Sequence, residues 1–371
     1  MSVVVPFYSA AAAHQGLDLR AALERVLDSH WYVLGREVRA FEEEFATYCG
    51  VPHCVSVANG TDALELALRA LEVEAGAEVL CTANAAFYAS TAALAVGAQP
   101  RYVDVDPASL CMDPAALDQA LARRRPAAVI VTHLYGQLAD VAAIAATCRR
   151  HDVPWIEDCA QAHGARRDGR LAGAFGDLAC FSFYPTKNLG ALGDGGAVLT
   201  ADAARAERLR SLRQYGWTSK YHVQHAGGRN SRLDELQAAV LRTKLPALDR
   251  QNAERRAIAE RYAQAFAGLP LQLPVSTGED FAAHLYVVRT PQRDALRGHL
   301  QACEIGHDVH YPVPDHQQPV MREAQAGVRL PHTESACGQV LSLPCQPGLG
   351  ESAVQAVIDA VRGFFAKGAA C

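Results

Sequence analysis

Between about residues 54 and 200, short apolar runs alternate with stretches whose apolar positions recur at helical spacing. Cys54-Val-Ser-Val57 precedes the helix-like Asp62 to Leu71, and Glu78-Val-Leu-Cys81 precedes the alanine-rich Ala89 to Val96. Arg101-Tyr-Val-Asp-Val105 precedes Pro114 to Ala122. Ala128-Val-Ile-Val-Thr132 precedes Val141 to Arg150, and Pro154-Trp-Ile-Glu-Asp158 follows. Strands separated by helical crossovers predict an α/β fold, with a mostly parallel sheet covered by helices on both faces. Ligands of such sheets sit at the carboxyl ends of the strands, where Asn59-Gly60-Thr61 and Asp158 fall.

An amphipathic helix carrying Val38, Phe41, Phe45 and Tyr48 on one face precedes this region, with Gly50 as its stop. Leu233, Leu236, Val240 and Leu245 mark a second long helix continuing toward Tyr262. Beyond it, His284-Leu-Tyr-Val-Val-Arg289 is strand-like, Arg293 to Ala302 helical, and His310-Tyr-Pro-Val-Pro-Asp-His316 a rigid proline loop. The expected organisation is an N-terminal segment and large α/β domain over 1–245, then a smaller C-terminal α+β domain over 246–371.

Composition narrows the function. Half of the 371 residues are apolar and a fifth charged, the balance of a soluble globular chain. A net charge of −5 argues against a nucleic-acid binder, and no apolar run is long enough to span a membrane. Met1 to Ala13 lacks a basic leader, so a cytoplasmic location is expected. The 11 cysteines are odd in number and include no Cys-x-x-Cys pair; buried thiols, with no metal, are the expectation.

One lysine stands apart. Only Lys187, Lys220, Lys244 and Lys367 occur among 35 basic residues, and Lys187 follows Phe181, Phe183 and Tyr184 and precedes four glycines within ten positions. An apolar setting lowers an amine's pKa and suits it to Schiff-base chemistry, although a snorkelling lysine reads equally well from this segment alone. The turn Asn59-Gly60-Thr61 opening a helix offers a phosphate cradle, or an ordinary helix cap. Asp158 and Gln161 fit a clamp on a planar heterocycle, at a ring nitrogen and a ring oxygen, or a helix start and a surface amide. Phe87 is a stacking ring or a core residue, and Ser182 a phosphate ligand or nothing. Taken in chain order, these residues describe a pyridoxal 5′-phosphate (PLP) site.

The segments Trp31-Tyr-Val-Leu-Gly35, Asn59-Gly-Thr-Asp-Ala-Leu64, His133-Leu-Tyr-Gly-Gln137, Glu157-Asp-Cys-Ala-Gln-Ala-His-Gly-Ala165 and Phe181-Ser-Phe-Tyr-Pro-Thr-Lys-Asn-Leu-Gly190 resemble the DegT/DnrJ/StrS sugar aminotransferases. These are fold type I PLP enzymes, like aspartate aminotransferase in architecture, and the resemblance covers nearly the whole chain. It implies that Lys187 holds PLP covalently, that Asp158 pairs with the pyridine nitrogen, and that Gln161 reaches the 3-hydroxyl. Phe87 is implied to stack on the ring, with Gly60, Thr61 and Ser182 on the phosphate and Asn230 reaching the phosphate of a neighbouring subunit. The implied assembly is a homodimer with shared sites. Arg229 stands where the family varies, and Asn84-Ala-Ala departs from the commoner Asn-Thr pattern.

The implied reaction moves an amino group from L-glutamate to a nucleotide-linked keto-sugar, with pyridoxamine 5′-phosphate as the intermediate cofactor form and Lys187 as the proton carrier. The His310-Tyr311 loop resembles the subgroup acting on 3-keto sugars, so Tyr184, His310 and Tyr311 are expected to contact a dTDP-3-keto-6-deoxyhexose that becomes a dTDP-3-amino-3,6-dideoxyhexose. A UDP-linked 3-keto uronic acid, a 4-keto sugar, or a PLP-dependent dehydration or aromatisation are the alternative enzymes. A non-enzymatic regulator is disfavoured by the complete set of site residues and by the lack of a basic helix-turn-helix extension.

Overall fold

The computed structural model of the chain describes residues 4–368; Cys371 lies outside the described residues. Seven strands form the main sheet: β1 (His53–Val57), β2 (Glu78–Cys81), β3 (Gln99–Tyr102), β4 (Ala128–Thr132), β5 (Trp155–Asp158), β6 (Leu178–Ser182) and β7 (Gly196–Thr200). Their spatial order is β1-β7-β6-β5-β4-β2-β3. β3, β2, β4, β5 and β6 pair in parallel, while β7 runs antiparallel to both β6 and β1. The strand alternation read from the sequence thus gives the expected mostly parallel sheet, with one reversed strand second from the edge.

Burial on both faces explains why these strands are nearly continuous apolar runs. Along β6, Leu178 and Cys180 face one core with Leu64, Leu66 and Leu68, while Ala179 and Phe181 face another with Phe41 and Phe45. Phe45 meets Phe181 edge-on at 5.0 Å and Phe183 at 5.4 Å. Helix Arg36–Cys49 therefore braces the strand that leads to Lys187. Gly50 ends that helix at φ 68°, a left-handed conformation that glycine tolerates.

The strand expected over 101–105 stops at Tyr102. Asp104 is drawn away from the sheet, accepting from the Thr333 amide at 2.9 Å, its hydroxyl at 2.8 Å and the His332 amide at 3.1 Å. The long helix expected from Leu233 to Tyr262 is divided into Glu235–Lys244 and Leu248–Phe266 by a 3₁₀ turn at Leu245–Ala247, where Pro246 supplies no amide donor.

In the C-terminal part, β8 (Tyr286–Arg289) and β9 (Val340–Leu343) pair antiparallel, with helices Arg293–Ala302, Pro331–Gln339 and Glu351–Gly368 around them. One apolar core joins Val129 of the large sheet and Ile144 of helix Val141–Arg150 to Tyr262, Tyr286 and Leu341. The start of the chain crosses to this part: the Val5 amide donates to the Glu304 carbonyl at 3.1 Å, and Gly306 returns a bond to Val5 at 2.7 Å. Among the described residues, no helix is long and apolar enough to cross a membrane.

Glu157 fixes the carboxyl edge of β5. Its buried carboxylate accepts from the amides of Gly173 (3.0 Å), Phe175 (2.7 Å) and Gly176 (2.7 Å), and lies 3.0 Å from His133 Nε2. Burial opposes its charge, but His133 and the amides hold its pKa below the ordinary carboxylate value. Such a group stabilises the fold above its unfolded pKa, and the contribution fades as pH falls through the lowered folded value. Glu157→Gln should cost about 2 kcal/mol or more at neutral pH, and urea unfolding should find the gap to wild type shrinking in acid.

Candidate active site

The carboxyl ends of β4, β5 and β6 open into a cavity of about 250 Å³, walled by Asn59, Gly60, Thr61, Thr132, Asp158, Gln161, Ser182 and Lys187. Each wall residue is delivered by a short segment after a strand, so sheet geometry fixes their spacing. A wider surface groove lies by Arg205 and Arg208, but those cations are paired with Asp177, Asp202 and Glu72. Volume alone does not mark the reactive site.

Asp158 is buried and Lys187 half-buried in this cavity, and the two are electrostatically coupled. Burial lowers the Lys187 amine to about 8, with Asp158 pulling the other way. Burial raises the Asp158 carboxyl, opposed by the Ala160 amide at 3.1 Å, the Thr132 hydroxyl at 3.1 Å and the Lys187 charge. The outcome is a lysine that is neutral just above physiological pH, beside a carboxylate with oxygens free to meet a cationic partner.

Asn59 caps helix Gly60–Ala70, its side chain accepting from the Asp62 amide at 2.8 Å. The cap leaves the amides of the first turn directed at the cavity, where the helix dipole favours an anion. Gly60 is required there: a Cβ at this position would lie 2.6 Å from Ser182 Cβ. Backbone and the Ser182 hydroxyl therefore meet around one small anion-sized space. Of the two alternatives in the sequence, the helix cap by Asn59 is present, and it leaves room for an anion at the same turn.

Gln161 lines the cavity, but its amide is partly engaged. Its oxygen accepts from the Tyr135 amide at 2.6 Å and its nitrogen donates to Tyr311 Oη at 3.0 Å. Phe87 is absent from the cavity wall, whereas the neighbouring Tyr88 and Ala85 are part of it. Ala86 and Phe87 both have positive φ (60° and 70°), a turn held by the Asp315 carboxylate, which accepts from the Phe87 amide at 3.0 Å and Ser90 Oγ at 2.7 Å. Asn84 donates to the Leu110 carbonyl and shapes the turn from behind.

Tyr184, His310 and Tyr311 meet in an adjoining cavity that shares Tyr88, Tyr184 and Lys187 with the first. His310 Nδ1 lies 2.8 Å from Ser342 Oγ. His316 turns inward to Glu334 at 3.0 Å, away from both cavities. Asn230 is exposed and outside the cavity of its own chain, and Arg229 is paired with Glu65 and Asp62. Thr132 and Tyr88 were not singled out from the sequence. Thr132 had a signal, a hydroxyl ending an apolar strand; Tyr88 had none beyond its place next to Phe87.

Two outcomes follow from this geometry. Gly60→Val should abolish tight PLP binding, as read by equilibrium dialysis, and its clash with Ser182 should lower the thermal unfolding temperature as well. The rate at which the cofactor-free chain takes up PLP covalently should rise with pH and level off above about 8, the value at which Lys187 loses its proton, and not climb on toward the 10.5 of an ordinary lysine.

Comparison with known proteins places the chain in a family. The chain is 47% identical over 363 residues to the dTDP-3-amino-3,4,6-trideoxy-alpha-D-glucose transaminase of Streptomyces venezuelae, covering 96% of this chain and 95% of that one. The structure superposes with a TM-score of 0.93 on S. venezuelae DesV in complex with a ketimine intermediate, at 46% identity and covering 97% and 98% of the two chains. With NtdA of Bacillus subtilis, solved with bound cofactor PMP, the TM-score is 0.91 at 28% identity, covering 99% and 86%. Residues 15–362 match one family throughout, and the chain belongs to the DegT/DnrJ/EryC1/StrS aminotransferase family.

Proposed function

We propose that this protein transfers an amino group from L-glutamate to a dTDP-linked 3-keto-6-deoxyhexose, with PLP as cofactor. One observation carries the reading: a half-buried amine of lowered pKa, a buried carboxylate and the start of a helix share a single cavity at the strand ends. The residues present fit PLP, because a Cβ-free turn takes the phosphate, Asp158 faces the ring and Lys187 is free to reach the aldehyde. When bound, PLP supplies a carbonyl that takes up the amino group and a ring that accepts the electron pair of the substrate carbon.

The chain's own residues do the rest. Gly60, Thr61 and Ser182 would hold the phosphate and so set the depth of the ring. Asp158, steadied by Thr132 and Ala160, would hold a proton on the ring nitrogen and so raise the ring's electron demand. Gln161, with one N–H spent on Tyr311, has a second to offer the ring oxygen. Lys187 Nζ, neutral when free, would take the proton from the substrate carbon and carry it through the transfer. Tyr88 or Phe87 closes one ring face; Tyr88 is the one placed on the cavity wall.

A homodimer suits the same reading. Asn230 is exposed beside the hairpin of Trp217–Ser219 and His222–Val223, where Tyr215, Tyr221 and Val223 are exposed too. Ring contacts of 5.0 Å and 5.4 Å join Tyr215, Trp217 and Tyr221 into one apolar patch. A surface of this kind fits a second copy of the chain and would bring Asn230 to the partner's phosphate cradle. The C3 position of the keto group and the dTDP carrier draw support from the name of the S. venezuelae relative, whose sugar is also deoxygenated at C4.

Product analysis tests the reaction. With L-glutamate, dTDP-3-keto-6-deoxyglucose and its 4-deoxy form should each yield a dTDP-3-amino sugar and 2-oxoglutarate, and Lys187→Ala should yield neither. Turnover of a UDP-linked uronic acid or a 4-keto sugar in preference to these would shift the substrate assignment. Sedimentation should show a dimer, and Asn230→Ala should weaken PLP binding by about tenfold, the scale of one charge-assisted hydrogen bond.

A further inference from the structure

The second cavity, of about 310 Å³, lies on the other side of Lys187 and is walled by Tyr8, Arg255, His284, His310 and Gln346 among others. Its charge is one-sided. Arg255, on helix Leu248–Phe266, is only 4% exposed, yet it makes no ion pair among the described residues. Its Nη1 donates to the Cys345 carbonyl at 2.6 Å, and its Nε has no partner among the described residues. The adjacent Glu254 is committed to Arg250 at 2.5 Å.

The other cavity groups do not neutralise it. Tyr8 Oη donates to the Pro185 carbonyl at 3.0 Å, leaving its lone pairs available. His284 Nδ1 is held by Asn188 at 3.0 Å, and its pKa is lowered by burial and by the nearby Lys187 and Arg255 charges. Asp308 is the one carboxylate on the wall; its side chain is 64% exposed and lies 3.8 Å from His310. A buried guanidinium with unused donors and no counter-ion is costly, and the cost is recovered when an anion docks. A planar fork favours a carboxylate. The cavity is too small for a whole nucleotide sugar but large enough for an amino acid.

Resting on the amino-transfer reading above, we propose that Arg255 binds a carboxylate of the amino-acid donor, holding the donor in this second cavity with its nitrogen toward Lys187. The nucleotide sugar and the donor would then approach one reactive centre while relying on different anchoring residues. Arg255 is a specificity residue for the first half of the reaction and has no part in the second.

The test uses the PLP-loaded enzyme and two readouts. Calorimetry measures the binding of glutarate, a dicarboxylate that cannot react; rapid-mixing spectroscopy measures the half-reaction with L-glutamate and, separately, with the aminated nucleotide sugar. Arg255→Gln should lower glutarate affinity and the glutamate kcat/KM each by about tenfold or more, leaving the sugar half-reaction within about twofold of wild type. Arg255→Lys, which keeps the charge without the fork, should recover part of both losses. Unchanged glutarate binding and glutamate kinetics in Arg255→Gln, or an equal loss in both half-reactions, would overturn the proposal. Should Arg255→Gln fail to fold, the wild-type enzyme decides: glutarate must compete with glutamate, and a failure to bind overturns the assignment. Arg255-dependent glutarate binding without amino transfer from any amino acid would instead sink the transaminase reading and leave the carboxylate site standing.

Discussion

A half-buried lysine amine and a buried carboxylate sharing one cavity form the constraint on which the rest of the structure depends. Burying either charge alone costs several kcal/mol, and their mutual attraction offsets only part of that. The fold supplies what remains: the Thr132 hydroxyl and the Ala160 amide hold Asp158, and the Tyr184 carbonyl receives the Lys187 amide at 2.8 Å. Lys244 anchors the far end of the same loop through the Gly190 carbonyl at 2.5 Å. Lys244 is also lowered to about 8 by burial, so a depressed pKa does not by itself identify a reactive lysine. Position does: Lys244 is spent on Gly190 and His14, while Lys187 faces a cavity.

The sheet translates this constraint into geometry. Because β4, β5 and β6 run in parallel, their carboxyl ends coincide, and Thr132, Asp158 and Ser182 fall on one edge. Glu157 and Asp158 point to opposite faces of β5. One becomes the acceptor for three backbone amides, the other a cavity wall. Two adjacent carboxylates thus do unrelated jobs, separated only by the two-residue period of a strand.

That division sets how much was legible in the sequence. The alternating strands and helices, the glycine turn at Gly60, Asp158 and Lys187 could all be read because each leaves a local signature: an apolar run, a cap, a misplaced amine. The aromatic turn was less legible. Nothing local indicates that Asp315, 228 residues away, accepts from the Phe87 amide and holds a left-handed turn that sends Tyr88 to the cavity. Arg255 was equally silent, since an arginine on an amphipathic helix looks solvated until the chain start and β9 close over it. The break at Pro246 and the early end of β3 were decided by tertiary competition for backbone donors and carboxylates, which periodicity does not record.

Reductive trapping followed by peptide mapping weighs the central claim most directly. The enzyme is incubated with PLP, treated with borohydride and digested, and the modified lysine is located by mass spectrometry. Four lysines compete, two of them with lowered pKa. The account predicts the phosphopyridoxyl mass on the peptide containing Lys187 and on no other in comparable yield. Label on Lys244 or Lys220 in its place, with Lys187 unmodified, would contradict it.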